Sequence, residues 1–337
     1  MTRQLELSRE QYGVLWKYVI DEDISDIDCI GHEIWVTKGL GQRVKVQDEL
    51  QEEFLAAFCQ KLATMQKRNF NPAMPLLEAE TNTLRISVIH ESISQGGRSI
   101  SIRKSLPKQR FTRQSAINDG YATKEILDFL EGCVKAHFTF VICGNPGSGK
   151  TECAKYLAST IGECERVITV EDNLEWHLKK IHPRADVVEL KVAASEDEGF
   201  SYRDAIKASL RQNPKWLMLS EARGREARSL MEAWSTGICG ITTLHTDDVR
   251  KIPERIFNMI GNVYDGERME QQFYSDVDIG IMIGFAKNTR GRVYRRIEQV
   301  CYFDEATRRA VMLVEDGKEF LERLPNEVER KIDKAKA

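Results

Sequence analysis

The chain has 337 residues, 42% of them hydrophobic and 30% charged, and a formal net charge of -3. That length predicts about two domains, each large enough for its own core. The near-neutral charge provides no broad basic footprint for non-specific nucleic-acid binding, and no apolar run approaches the roughly 20 residues needed to span a bilayer.

The first ten residues, MTRQLELSRE, lack the apolar stretch of a signal peptide. The eight cysteines form no CxxC pair, which argues against a zinc ribbon. Cys143, Cys239 and Cys301 lie in apolar runs and read as small buried hydrophobes in a reducing compartment. A cytoplasmic protein is therefore expected.

Residues 1–105 read as a separate N-terminal α/β domain. A short amphipathic helix is expected over 11–20, followed over 23–46 by strands broken at Gly31-His32 and between Gly39 and Gly41. Leu50, Phe54, Leu55, Phe58, Leu62 and Met65 form a helical stripe over 48–66, and Asn71-Pro72 ends that region. Half-buried strands follow at 83–90 and 99–103, joined by a turn at Gly96-Gly97. Residues 106–120 are rich in Pro, Lys, Arg, Gln and Ser without periodicity, and read as a linker.

Residues 121–337 form the second expected domain. Thr123 is a candidate N-cap for a helix over 124–136. Strands are expected at 138–143, 166–171, 186–192, 215–220 and 238–244, with helices at 152–161, 202–212 and 225–235 between most of them. Such alternation implies a mainly parallel sheet covered on both faces, with ligand outside the strand C-termini. The stretch 279–314 has shorter, more alternating strands, and a charged helical tail follows.

The run Gly144, Asn145, Pro146, Gly147, Ser148, Gly149, Lys150, Thr151 fits GxxxxGK[ST] in the strand–loop–helix setting of a phosphate-binding P-loop. Its glycines let the backbone curl until several N–H groups face a β-phosphate, aided by the helix N-terminus. Lys150 is then placed for the β/γ-phosphates and Thr151 for Mg²⁺. A Gly-rich surface turn is the bland reading of the same residues; the apolar strand before it and the helix after it argue against that.

Three polar clusters fall just after expected strands. Glu171-Asp172 offers carboxylates to orient water or hold Mg²⁺ through its hydration shell, or is an ordinary strand-to-loop transition. Glu221, two residues after the run 216–219, occupies the place of an acid that takes or aligns the proton of an attacking water. Arg223 beside it balances developing negative charge or pairs with a neighbouring acid. His245 ends a strand of the same sheet, where it can sense a γ-phosphate or water, although a lone histidine is usually structural. Arg98, Arg103, Arg110 and Arg113 are candidates to neutralise phosphate, set against a solvated basic face.

In this order the motifs resemble those of the type II and type IV secretion ATPases, the traffic ATPases, over about residues 75–260. The Walker A of that family is matched by 144–151, its Asp box by 169–175, its Walker B by 210–224 and its His box by 236–245. Arg98, Ser99 and the run 100–104, ending Ser101-Ile102-Arg103-Lys104, resemble an element of the Tad/Flp pilus and conjugal-transfer branch, in which an N-terminal-domain arginine reaches the nucleotide. The departures are Asn145-Pro146 in the loop, Ser220 in place of glycine, and Asp172-Asn173-Leu174-Glu175 in the Asp box.

The resemblance implies an N-terminal α/β domain plus a C-terminal RecA-like domain, with ATP and Mg²⁺ bound in a cleft between them and Arg103 supplying charge. It implies a homohexameric ring at the cytoplasmic face of a membrane, working with inner-membrane platform or secretion-channel proteins to drive pilus assembly, secretion or conjugal DNA transfer. Two alternatives stay open: a RecA-like nucleic-acid motor, which the charge disfavours, and a nucleotide-gated assembly protein, which the intact Glu171 and Glu221 disfavour.

Overall fold

The computed structural model describes residues 7–193, 199–261, 266–289 and 291–336. The chain divides into two compact units, Met1–Leu106 and Pro107–Ala337.

Among its described residues the first unit has six strands: β1 (Ile24–Ile30), β2 (Glu33–Lys38), β3 (Gln42–Glu49), β4 (Leu76–Glu80), β5 (Leu84–Ile89) and β6 (Ser99–Lys104). They form one antiparallel sheet in the order β3-β2-β1-β6-β5-β4. Alternation decides which face is covered. Leu84, Ile86 and Val88 of β5 and Ile100 and Ile102 of β6 point into a core shared with Leu55, Phe58, Cys59 and Leu62 of the helix Glu52–Gln66. That helix starts later than its apolar stripe suggests, because Glu49 is still paired with Glu33 of β2. Asp26, Asp28, Ser101 and Arg103 share the opposite, polar face.

The second unit holds β7 (Phe140–Cys143), β8 (Val167–Glu171), β9 (Val187–Lys191), β10 (Trp216–Leu219), β11 (Cys239–Leu244), β12 (Ile279–Lys287), β13 (Val293–Asp304), β14 (Arg309–Glu315) and β15 (Lys318–Glu319). Their order is β15-β14-β13-β12-β7-β11-β10-β8-β9. The strands from β12 to β9 in that order pair in parallel, and β12 to β15 continue as an antiparallel extension. This is the mainly parallel α/β architecture expected from the alternating segments.

Both faces of the parallel part are covered, which is why β7, β10 and β11 are buried at every position. Phe140, Ile142, Trp216 and Met218 face a cluster with the helices Lys124–Lys135 and Lys150–Ala158. Val141, Cys143, Leu217 and Leu219 face a second cluster with the helices Tyr202–Ser209, Glu226–Trp234 and Ile252–Ile260.

The segment 107–120, which lacks apolar periodicity, is folded into this second unit. Thr112 caps the short helix Arg113–Asn118, Ala116 is buried, and the Phe111 ring lies 4.7 Å from Tyr121 and 5.3 Å from Tyr156. Arg113 adds ion pairs to Asp128 and Glu131. Single aromatic and ionic anchors hold it, and such anchors leave no repeating pattern in the sequence.

Candidate active site

β7 ends at Cys143 and the loop begins with Gly144 at φ +143°, where a Cβ would lie 2.5 Å from the Ile283 carbonyl oxygen. Only glycine fits that approach. Gly149, at φ +98°, closes the loop, and the helix Lys150–Ala158 starts directly after it. The Ser148 N–H donates to the Asn145 carbonyl at 3.1 Å, which tightens the turn. Asn145, Pro146 and Gly147 lie exposed at the tip, while the Ser148 hydroxyl is buried with no hydrogen-bond partner among the described residues. Lys150 curls back over the loop, its Nζ donating to the Gly144 carbonyl at 3.0 Å and the Asn145 carbonyl at 3.3 Å. Burial lowers its pKa, with Glu221 acting in the opposite sense.

The neighbouring strands end level with this loop. Cys143 sits beside Leu244 of β11, and Leu219 of β10 sits between Thr242 of β11 and Val170 of β8. Residues 172, 221 and 245 therefore emerge on one edge of the sheet, and a chain of polar contacts joins them. Lys150 Nζ lies 3.1 Å from His245 Nδ1. His245 Nε2 lies 2.9 Å from Glu221 Oε1. Arg223 Nε donates to Glu221 Oε2 at 2.9 Å, and its other arm reaches Asp172 Oδ2 at 3.1 Å. A carboxylate only accepts, so the Glu221 contact places a proton on Nε2; Nδ1 meets both the Lys150 ammonium and, at 3.2 Å, the Gly144 carbonyl oxygen, and presents its lone pair when the ammonium is its partner. The Thr243 hydroxyl, donating to the Ser220 carbonyl at 2.7 Å, and the Ala222 N–H, donating to the Thr243 carbonyl at 2.9 Å, fasten the two loops together.

Glu171 does not stand where sequence position suggested. As the last residue of a strand covered on both faces, it is turned inward and fully buried. Its Oε1 accepts the N–H groups of Glu175 at 3.1 Å and Trp176 at 3.2 Å, and its Oε2 has no hydrogen-bond partner among the described residues. The carboxylate that faces Thr151 is that of Glu175, whose Oε2 accepts the Thr151 hydroxyl at 3.3 Å. Glu171 thus shapes the loop that carries Glu175.

Burial pushes the Glu171 carboxyl up to about 8, from an ordinary 4.5. The folded protein then holds a proton that the unfolded chain releases. Its contribution to stability is complete below about 4.5 and is lost as pH rises through about 8. In metal-free buffer, the unfolding free energy is expected to fall by a few kcal/mol across that window, and Glu171→Gln should flatten the slope. Urea titrations at the two ends of the window check this; an unchanged slope in the variant would rule it out.

Arg103 belongs to the first unit, where its Nε donates to Asp26 Oδ1 at 2.9 Å. Arg98 is buried and forks onto Glu91 at 2.7 and 2.8 Å, a structural pairing. Arg110 lies 3.8 Å from Glu152, and Arg113 is committed to Asp128 and Glu131. Sequence reasoning assigned no role to three further residues. Glu175 was within reach as the last residue of the Asp-box run. Tyr202, whose hydroxyl accepts the Asp172 N–H at 3.0 Å, and Arg295, which donates to the Gly147 carbonyl, carry no local motif.

The family model described as Type II/IV secretion system protein matches residues 69–277. An uncharacterized protein of Bacillus anthracis is 29% identical over 276 residues, which cover 80% of this chain and 61% of that protein. The chain spans 50% to 61% of the length of the first curated relatives it matches. Among solved structures, the Legionella pneumophila ATPase DotB aligns with a TM-score of 0.66 at 18% identity, covering 91% of this chain and 84% of that one. The pilus retraction motor PilT with bound ADP aligns with a TM-score of 0.63 at 18% identity, covering 98% and 89%. At that identity the likeness is one of fold.

Proposed function

The chain belongs to the Type II/IV secretion system protein family, and from that membership we propose that it is a Mg²⁺-dependent ATPase whose turnover drives pilus assembly, protein secretion or conjugal DNA transfer. Membership in a secretion-ATPase family implies ATP hydrolysis. The observation that carries the reading is the unbroken contact chain Lys150–His245–Glu221–Arg223–Asp172 beside a formed phosphate loop.

The donor set fits Mg²⁺. Thr151 and Glu175 present hard oxygens side by side, and no cluster of three or more metal-ligating side chains exists among the described residues. A cation that binds through one or two protein oxygens plus phosphates and water suits that supply. When bound there it would neutralise charge on the β- and γ-phosphates.

The roles we assign follow from what each side chain touches. Lys150 exchanges its carbonyl and imidazole contacts for the β/γ-phosphates, while the Gly147, Gly149 and Lys150 N–H groups and the Ser148 hydroxyl line the cradle with Gly144, Asn145 and Pro146. His245, released by Lys150, offers its Nδ1 lone pair towards the γ-phosphate side while Nε2–H keeps hold of Glu221. Glu221 aligns the attacking water and takes its proton at a carboxylate oxygen. Arg223 holds Glu221 against Asp172 and so fixes that oxygen's direction. Glu171 supports the loop from below. Arg103 is proposed, on motif grounds, as a further phosphate-directed cation; its pairing with Asp26 keeps the guanidinium oriented in the absence of an anion.

We further propose that the protein works as a homohexamer, peripherally at the cytoplasmic face of a membrane, with platform or channel proteins as partners. No helix among the described residues is long and apolar enough to cross a membrane. Light scattering should show a ring-sized species that grows in population with a non-hydrolysable ATP analogue. ATPase activity should disappear with chelator and return with added Mg²⁺. A monomer under every condition would sink the ring, and chelator-resistant turnover would sink the metal requirement.

A further inference from the structure

The phosphate loop has a second neighbour that the roles above do not use. β12 continues past the end of β7: Met282 pairs with Cys143, and Ile283, Gly284 and Phe285 run on beside the loop. β13 pairs with this overhang and sets Arg295 directly opposite Phe285. The guanidinium carbon lies 5.8 Å from the Phe285 ring centroid, so the aromatic ring supports the fork. From there Arg295 donates twice to one acceptor, the Gly147 carbonyl, through Nε at 3.2 Å and a terminal nitrogen at 3.0 Å. Its Cδ would lie 3.2 Å from a Cβ on Gly149, so the stem crosses the loop at both glycines.

Two features separate this arginine from a surface cation. Among the described residues it pairs with no carboxylate, although Arg223, Arg250 and Arg296 of the same unit all do. Its charge is also opposed by burial first and by the nearby Arg110 second, with Tyr121 and Glu152 acting in the opposite sense. A cation held there with no direct ion pair among the described residues, and with two N–H groups on one loop carbonyl, is placed for the loop itself. The geometry of the peptide shows what this does. In a planar trans peptide, the Gly147 C=O and the Ser148 N–H point in opposite directions. Holding the carbonyl outward against Arg295 therefore aims the Ser148 N–H into the loop, where at present it meets the Asn145 carbonyl.

We propose that Arg295, supported by Phe285, is a positioning residue for phosphate binding: it fixes the 147–148 peptide so that the loop N–H groups converge on the polyphosphate. The inference rests on the reading of the loop as a nucleotide site. It adds a contribution from the antiparallel extension of the sheet, which reaches phosphate through the backbone of the loop. Arg295→Ala is expected to weaken both ADP and inorganic tripolyphosphate by about 10-fold or more, the scale of a charge-assisted hydrogen bond. KM for ATP should rise by the same factor while kcat stays within about threefold, because the proton-handling groups are untouched. Arg295→Lys keeps the charge but not the twin donors, and should recover part of the affinity.

Titration calorimetry with ADP and tripolyphosphate, alongside melting curves, tests this. Equal losses for the two ligands with a small change in Tm support the assignment. A loss for ADP alone would mean that Arg295 recognises the nucleoside, and would overturn it. So would unchanged affinity accompanied by a lower Tm. If Arg295→Ala does not fold, Arg295→Lys and Phe285→Leu carry the same comparison, and wild-type affinity in both would overturn the proposal. Failure of the wild-type protein to bind either ligand would instead remove the nucleotide-site reading underneath it.

Discussion

Lys150→Ala should weaken ATP binding by about 100-fold or more, which corresponds to about 2.7 kcal/mol of lost binding free energy. The expectation comes from the side chain's surroundings. Lys150 is buried, its ammonium is held by two loop carbonyls and the His245 ring, and burial already lowers its pKa. A desolvated cation of this kind has a strong electrostatic preference for an anion over neutral carbonyls. Alanine removes the cation but keeps the helix, since it is the best helix former at that position. Calorimetric titration with ADP measures the loss, and circular dichroism shows that the fold survives. Binding within about fivefold of wild type would mean that phosphate is held elsewhere.

Glu221→Gln should separate binding from turnover. The amide has nearly the shape of the carboxylate, and its oxygen can still accept from Arg223 or from His245 Nε2–H, the two contacts seen at 2.9 Å. What it cannot do is take up the proton of water. Nucleotide affinity should stay within about threefold of wild type, while kcat falls by about 10²- to 10⁴-fold, the usual span for loss of a general base. Steady-state ATP hydrolysis beside an ADP titration decides it. Normal hydrolysis by the variant would transfer the base role to another residue. Loss of binding would show instead that the Glu221–Arg223–Asp172 contacts hold the loops in place.

The two cases differ in how directly the sequence exposes them. Lys150 and Glu221 each follow a short apolar run that folds as a fully buried strand, and such a strand delivers its next residues to a fixed edge of the sheet. Glu171 also follows an apolar run, yet its side chain turns inward because it is still part of β8 and still under cover. Register at the final residue of a strand decides between exposed and buried, and composition does not encode it. Glu175 gains the outward place four residues later. Arg295 was invisible for a different reason: its partner Gly147 is 148 positions away and offers only a backbone carbonyl. The segment 107–120 reads as loose chain because its anchors, Phe111, Ala116 and Arg113, each use a different kind of contact. What the sequence carried well was periodic or contiguous; what it hid was long-range and carried by single residues.

In the proposed ATPase, the contact between Lys150 and His245 bears on product release. Once the phosphates leave, a buried ammonium without partners would act as a brake, since an unpaired desolvated charge opposes the departure of the last anion. Here the Gly144 and Asn145 carbonyls and the imidazole Nδ1 receive it immediately. Under the proposed reading, these partners would receive the ammonium when phosphate departs and so ease product release. For the proposed ATPase, such a landing place would favour release of product at the expense of a weaker grip on it.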